Sequence, residues 1–244
     1  MTSSSLSRTL TLATLAALFS SSGASSLLVG GQSSSETIQP KIEAARLGRD
    51  LPQLQASKTE LEKQIAANPN DAQEYLLLAR VLGYLVDAYE GQKNKKEAET
   101  TIDEAIAAAQ KSIQLKENFA EVHSLLADLY GRKIGFGGMF VGAHYGPMVQ
   151  QENKRAMELN DKNPRVGASL GRQYLMAPSM FGGSVDNAIE SFQKSLALEP
   201  KQDETLVWLA QAYKKKGDMT QARAAVVKAL ALNPRNPMAK GFKF

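Results

Sequence analysis

The chain has 244 residues, 43% hydrophobic and 22% charged, the balance of a folded chain rather than a disordered one, with room for one domain or two small ones. Its 29 basic and 25 acidic residues leave a net charge of only +4, and the densest basic cluster is Lys214 to Lys216, which excludes an extended nucleic-acid stripe. With no cysteine, a disulfide framework, a thiolate zinc site, a cysteine nucleophile and lipidation at a leader cysteine are excluded.

Residues 1 to 35 contain no Asp or Glu and one basic side chain, Arg8, followed by an apolar run from Leu10 to Phe19 broken only by Thr11 and Thr14. That run has the length of a signal-peptide core and is too short to cross a bilayer as a helix. Ser22, Gly23 and Ala24 supply the small residues that a signal peptidase accepts, so residues 1–24 are expected to be removed and the mature chain to be periplasmic or secreted. An organelle transit peptide and an uncleaved tail are the alternatives. Residues 25–36, with Gly30, Gly31 and Ser33 to Ser35, read as a flexible linker.

Residues 37–69 read as a first helix pair, Ile38 to Gly48 and Pro52 to Ala67, ending at Asn68 to Asp71 as a cap or an eroded repeat. From residue 70 a repeated pattern follows. First helices carry Leu78, Ala79, Leu82, then Leu126, Ala127, Tyr130, then Leu170, Gly171, Tyr174, then Leu209, Ala210, Tyr213. Second helices carry Ala105, Ala109, Ser112, then Val149, Asn153, Ala156, then Ala188, Phe192, Ser195, then Ala222, Val226, Ala229. Each set lies on one face of a helix, and the small residue lets two helix backbones approach. Pro234 follows Pro200 by 34 residues.

That period and those motifs resemble the tetratricopeptide repeat family over about residues 70–234. The resemblance implies an all-α fold, a right-handed solenoid of antiparallel helix pairs, with about four repeats after the capping pair and a short tail at 235–244. The spacing between equivalent first-helix positions is 48, 44 and 39 residues, so each of the first three repeats carries an insertion between its two helices. The first, around Asp87 to Thr100, is polar and is expected to lengthen both helices around a solvated turn. The second, Gly131 to Gly146, and the third, Ala177 to Ser184, are glycine-rich and are expected to form loops at the same end of the solenoid. They bear Phe136, Met139, Phe140, Tyr145, Met180 and Phe181, which either pack on the solenoid end or touch a partner.

Asn163-Pro164-Arg165 and Met180-Phe181-Gly182-Gly183, with Asp186 and Ala188, resemble bacterial periplasmic tetratricopeptide proteins of the TatT type, which accompany TRAP transporters. The family resemblance implies that first helices line a concave groove, so the candidate partner-binding residues are Arg80, Tyr84, Asp128, Arg132, Arg172, Met176, Gln211 and Lys215. Leu76, Ser124, Ala168 and Val207 are assigned to the same face. Arg172 and Lys215 suit a carboxylate or peptide terminus. His123 occupies a packing position, and His144 lacks a second ligand at metal spacing.

No nucleophile elbow, triad or phosphate loop is present, so the expected protein is a non-enzymatic scaffold without cofactor or metal. It is expected to hold a protein or peptide partner, for instance a solute-binding or other envelope protein. Self-association and a small-ligand or transport-accessory role, with the Met/Phe loops gating a cavity, are the alternatives. Nucleic acid and a membrane span in the mature chain are not expected.

Overall fold

The structure is a computed structural model that describes residues 34–48 and 50–244. The leader expected at 1–24 lies outside the described residues, as does most of the expected linker. All regular structure in the described residues is helical. Ten helices follow one another: α1 (Ser34–Gly48), α2 (Leu51–Ala67), α3 (Ala72–Gly91), α4 (Lys95–Leu115), α5 (Ala120–Leu159), α6 (Pro164–Met176), α7 (Val185–Leu198), α8 (Asp203–Lys216), α9 (Met219–Leu232) and α10 (Pro237–Lys240). Helix α1 begins at Ser34, so the stretch read as linker up to residue 36 already belongs to the first pair.

Short polar connections set the helix starts. Asp50, Asp71, Asn94, Asn163, Ser184 and Asp218 each accept a backbone N–H of the first helical turn, and such caps contribute about 1 kcal/mol apiece. Pro52 and Pro164 sit at helix starts where no N–H is needed. Gly217 closes α8 in the left-handed region, with φ 89°, which favours glycine.

Consecutive helices pack as antiparallel pairs, and the small-residue stripe lies at their contacts. Ala79, Ala127 and Ala210 are buried, and at Gly171 an added Cβ would stand 2.5 Å from Cε1 of Phe192, so the ring occupies the place of a side chain. The repeats also share hydrogen bonds. Gln110 Nε2 donates to Tyr130 Oη at 3.0 Å, and Gln193 Nε2 donates to Tyr213 Oη at 2.9 Å. Ser112 Oγ donates to the carbonyl of Ala72 and Ser195 Oγ to that of Pro164, both at 2.7 Å, fastening each second helix to the start of its first. A tyrosine hydroxyl and a serine hydroxyl buried in an apolar contact need such partners.

The first insertion lengthens α3 and α4 around the turn 92–94, where Lys93 takes φ 60°. The second is not a loop. Gly131 to Gly146 is helical and extends both halves of α5, and the reversal is confined to Gly138, with φ 71° and ψ −156°. Glycine costs roughly 1 kcal/mol per position in a helix. Ile134, Phe136, Val141, Tyr145, Met148 and Val149 offset that cost, since they are half-buried, with the Tyr130 and Tyr145 ring centroids 5.1 Å apart. Gly137 is needed at the bend, because its Cβ would meet the Val141 side chain at 2.1 Å.

The third insertion leaves the helix, with a 3-10 turn at Ser179–Phe181 and Gly182 at φ 85°. A 20-residue α3 is roughly 30 Å long and a 13-residue α6 roughly 20 Å, so the first two hairpins stand taller than the later ones.

Candidate binding surface

The first helices of the pairs, α1, α3, the first half of α5, α6 and α8, line the concave side. Leu76, Ser124, Ala168 and Val207 do not face it. They are 0%, 2%, 3% and 0% exposed, because each stands three residues before the small residue of its helix and so shares the face that packs.

The other nominated residues lie along the concave side, but most of their charge is engaged within the protein. Arg80 pairs with Glu121, which also receives Arg165 at 2.8 Å. Arg132 pairs with Asp87 at 2.7 Å and donates to the carbonyl of Gly83 at 3.1 Å. Arg172 grips Asp128 with two N–H groups, Nε to Oδ1 at 2.9 Å and Nη2 to Oδ2, and Ser169 Oγ donates to the same carboxylate at 2.8 Å. Lys215 Nζ donates to the carbonyl of Leu175 at 2.9 Å.

Arg46, at the end of α1, completes the circuit. Its guanidinium meets Asp203 at 3.0 Å and Glu204 at 2.9 Å, both on α8 and more than 150 residues away. Thus α3 is tied to α5, α5 to α6, α6 to α8, and α8 back to α1. Tyr84 stands half-buried beside this circuit, with the Arg46 guanidinium 6.0 Å from its ring centroid.

Partial burial raises the Glu204 carboxyl above its ordinary range, and Arg46 offsets only part of that because Asp87 and Asp203 add negative charge nearby. Burial would also raise Asp203, but Arg46 and the side-chain amides of Asn233 and Asn236, both at 2.8 Å, hold it below the ordinary range. Arg46, Asp87, Glu121, Arg165, Asp203 and Glu204 were not nominated from the sequence. Part of the signal is in the sequence: the residue after the small residue is Asp128 in one repeat and Arg172 in the next, opposite charges at equivalent positions that the structure pairs.

At the carboxy-terminal end of the concave side, an open depression of about 630 Å³ lies between α8 and the segment after α10. Gln211, Lys214, Lys215, Met238, Gly241, Phe242 and Lys243 line it, three lysines and no carboxylate. Lys214 spends one donor on the carbonyl of Lys243 at 2.6 Å, and Lys215 one on Leu175, so each ammonium keeps donors to offer.

The Met/Phe residues divide into two groups. Phe136 and Tyr145 pack against the core, whereas Met139 is 84% exposed, Phe140 88%, Met180 82%, Phe181 60% and Met176 68%. His123 is buried and links the two halves of α5, with Nδ1 2.6 Å from Glu152 Oε2 and Nε2 donating to the carbonyl of Glu117 at 2.8 Å. His144 is exposed, edge-on to Tyr145. Among the described residues no group of three or more His, Cys, Asp or Glu is placed to hold a metal ion, and no helix is long and apolar enough to cross a membrane.

Residues 183–243 match the tetratricopeptide repeat family model. No curated protein matches the chain. Among solved structures, a thermophilic TPR protein of Thermus thermophilus is 19% identical with a TM-score of 0.58, covering 83% of this chain and 95% of that one. MamA from Desulfovibrio magneticus is 14% identical at a TM-score of 0.45 over 84% of this chain and 98% of that one. YrrB, a TPR protein with an unusual peptide-binding site, is 16% identical at 0.40 over 85% and 92%. Residues 183–243 therefore carry tetratricopeptide repeats, and the described chain as a whole shares the helical solenoid fold of tetratricopeptide repeat structures.

Proposed function

We propose that the chain is a non-enzymatic scaffold of the bacterial envelope that holds an extended acidic segment of a protein partner on its concave side. The observation that carries this reading is the division of labour among the concave charges. The arginines are spent on ties between helices, whereas the depression beside α8 keeps lysine donors and the apolar surfaces of Met238 and Phe242 in one place. A carboxylate takes the lysines as point charges, and a neighbouring apolar side chain covers the methionine and phenylalanine. The envelope address rests on the acid-free leader and its small residues at 22–24, and amino-terminal sequencing of exported protein is expected to begin at Ser25.

The narrower likeness to transporter-associated periplasmic proteins has a local structural explanation. Asn163 caps α6, Pro164 starts it, Gly182 takes a positive φ, and a Cβ on Gly183 would strike the carbonyl oxygen of Ala177 at 1.9 Å. These motif residues are accounted for by the fold, and they do not argue for a particular transporter.

The test is partner capture from the envelope followed by titration. With a captured partner segment, Lys215→Glu and Lys243→Glu are each expected to weaken binding roughly tenfold, as loss of a charge-assisted contact does. Val227→Glu, on a residue 65% exposed on α9, is expected to change nothing. Equal loss for all three, or for none, would remove the depression from the binding site.

A further inference from the structure

The depression beside α8 has two walls of unequal strength. One is α8 itself, with Gln211, Lys214 and Lys215 on a 14-residue helix. The other is Met238, Gly241, Phe242 and Lys243, on and after the four-residue α10. A single helical turn does not hold its own shape, because nucleation is unfavourable and isolated helices need roughly 12–15 residues to persist in water. The second wall therefore takes its position from contacts made to it.

Part of that support is apolar. Ala239 is buried, and Met238 and Phe242 pack with it on Leu206, Val207 and Ala210. Apolar contact is not directional, so it holds the segment to the last repeat without fixing its register. The directional support converges on one carboxylate. Asp203, at the start of α8, is buried and lies outside the lining of the depression. Its Oδ2 accepts from Nδ2 of Asn233 and from Nδ2 of Asn236, both at 2.8 Å. Each asparagine spends its own Oδ1 on the chain that follows: Asn233 accepts from the N–H of Arg235 and Asn236 from that of Ala239, both at 3.0 Å. The two buried side chains thus carry the position of Asp203 into the turn 233–236 and the first turn of α10. Arg46, on Oδ1 at 3.0 Å, favours the ionised carboxylate, the stronger acceptor for both amides.

We propose that Asp203 is a positioning residue for the partner site, setting through Asn233 and Asn236 the separation between α8 and the wall that carries Met238 and Phe242. This rests on the acidic-segment reading, in which lysine and apolar contacts must be presented together. Asp203 itself touches no partner.

Asn236→Asp keeps a side chain that caps α10 and replaces the donor by a second carboxylate opposite Asp203. Asn236→Asp with Asp203→Asn restores an amide–carboxylate pair with the roles exchanged and keeps the native net charge. The chain has no cysteine, so nitroxides at Lys194→Cys on α7 and Lys240→Cys on α10 report one distance in the full chain. A narrow distribution is expected in the native background, a broad one with Asn236→Asp and a narrow one again in the double variant, with the same helical circular dichroism in all three. Arg46→Ala is expected to leave the distribution narrow, since the asparagine bonds survive it. A fluorescent peptide of six glutamates and one leucine serves as the binding probe. Its affinity is expected to fall roughly tenfold with Asn236→Asp, as with Lys215→Glu, and to recover in the double variant. A distribution that stays narrow with Asn236→Asp overturns the proposal. So does weakened binding with Lys215→Glu alone, which leaves the acidic-segment reading standing. A probe indifferent to Lys215→Glu as well removes both.

Discussion

Arg46→Ala should release the circuit that joins the first helix to the last repeat. The Arg46 side chain is 12% exposed and that of Asp203 3%, so the pair is buried, whereas Glu204 at 43% sits where an ion pair contributes little. Removing one partner of a buried pair costs about 3–5 kcal/mol when the other charge is left alone. Asp203 is not left alone, because Asn233 and Asn236 each still donate to it at 2.8 Å. The expected loss is therefore about 2–3 kcal/mol, near the value of charge-assisted hydrogen bonds.

The loss should be local. Helix α1 retains Ile38, Ile42 and Ala45 in the core against α2 and α3, so its attachment to α8 goes first. Hydrogen exchange of peptides covering residues 37–48 is expected to quicken roughly 30- to 150-fold, the factor that 2–3 kcal/mol represents, while α3 and α4 keep their protection. Asp203 has a depressed folded pKa, so this contribution is present above the unfolded carboxyl value near ~4 and is lost as pH falls through the folded one. The effect of Arg46→Ala should accordingly shrink in acid. Unchanged exchange of α1, or an effect as large in acid as at neutral pH, would refute this account of the circuit.

The His123 ring donates through Nε2 to a carbonyl, so its Nδ1 can donate to the Glu152 carboxylate only when the ring is the doubly protonated imidazolium. Although burial opposes the charge, Glu152 and the Glu117 carbonyl raise its pKa. Its stabilisation is full below the unfolded value near ~6.5 and fades as pH rises through the raised folded one, so a melting curve series from mildly acidic to mildly alkaline pH should fall, and Glu152→Gln should flatten it. Gly171→Ala places a methyl against Phe192 at 2.5 Å and should cost about 1–3 kcal/mol by denaturant titration, with partial recovery in combination with Phe192→Leu. Gly183→Ala meets the backbone oxygen of Ala177, which cannot be relieved by a side-chain move, and should loosen the loop after α6 by a comparable amount, read as faster exchange at residues 177–184.

Much of the solenoid was legible in the sequence because it depends on contacts between neighbouring repeats. The Leu, small residue, Tyr triplets and the Ala, Phe, Ser stripe declare their own faces, and Gln110 and Gln193 meet tyrosines 20 residues onward. The glycine-rich insertion misled for a definite reason. Glycine content points to a loop, yet Ile134, Val141, Tyr145 and Val149 recur at helical spacing, and packing of the two halves of α5 overrides the local propensity.

The candidate residues lie on the first helices of the pairs, but most of their charges meet partners within the protein. Whether Arg172 faces solvent or Asp128 depends on the distance between adjacent first helices, which the repeat register hints at. The meeting of Arg46 with Asp203 depends on curvature summed over every repeat, and no local pattern encodes it.

The depression beside α8 is the part of the concave side where a partner segment has both charge and apolar surface to meet. A photoreactive residue placed at Gln211 in the exported protein tests that directly, with the same residue at Val227 on α9 as the reference. One dominant cross-linked polypeptide is expected from Gln211 and none from Val227. Cross-linking that is equal at the two positions, or absent at Gln211 while a partner is still captured, would contradict it.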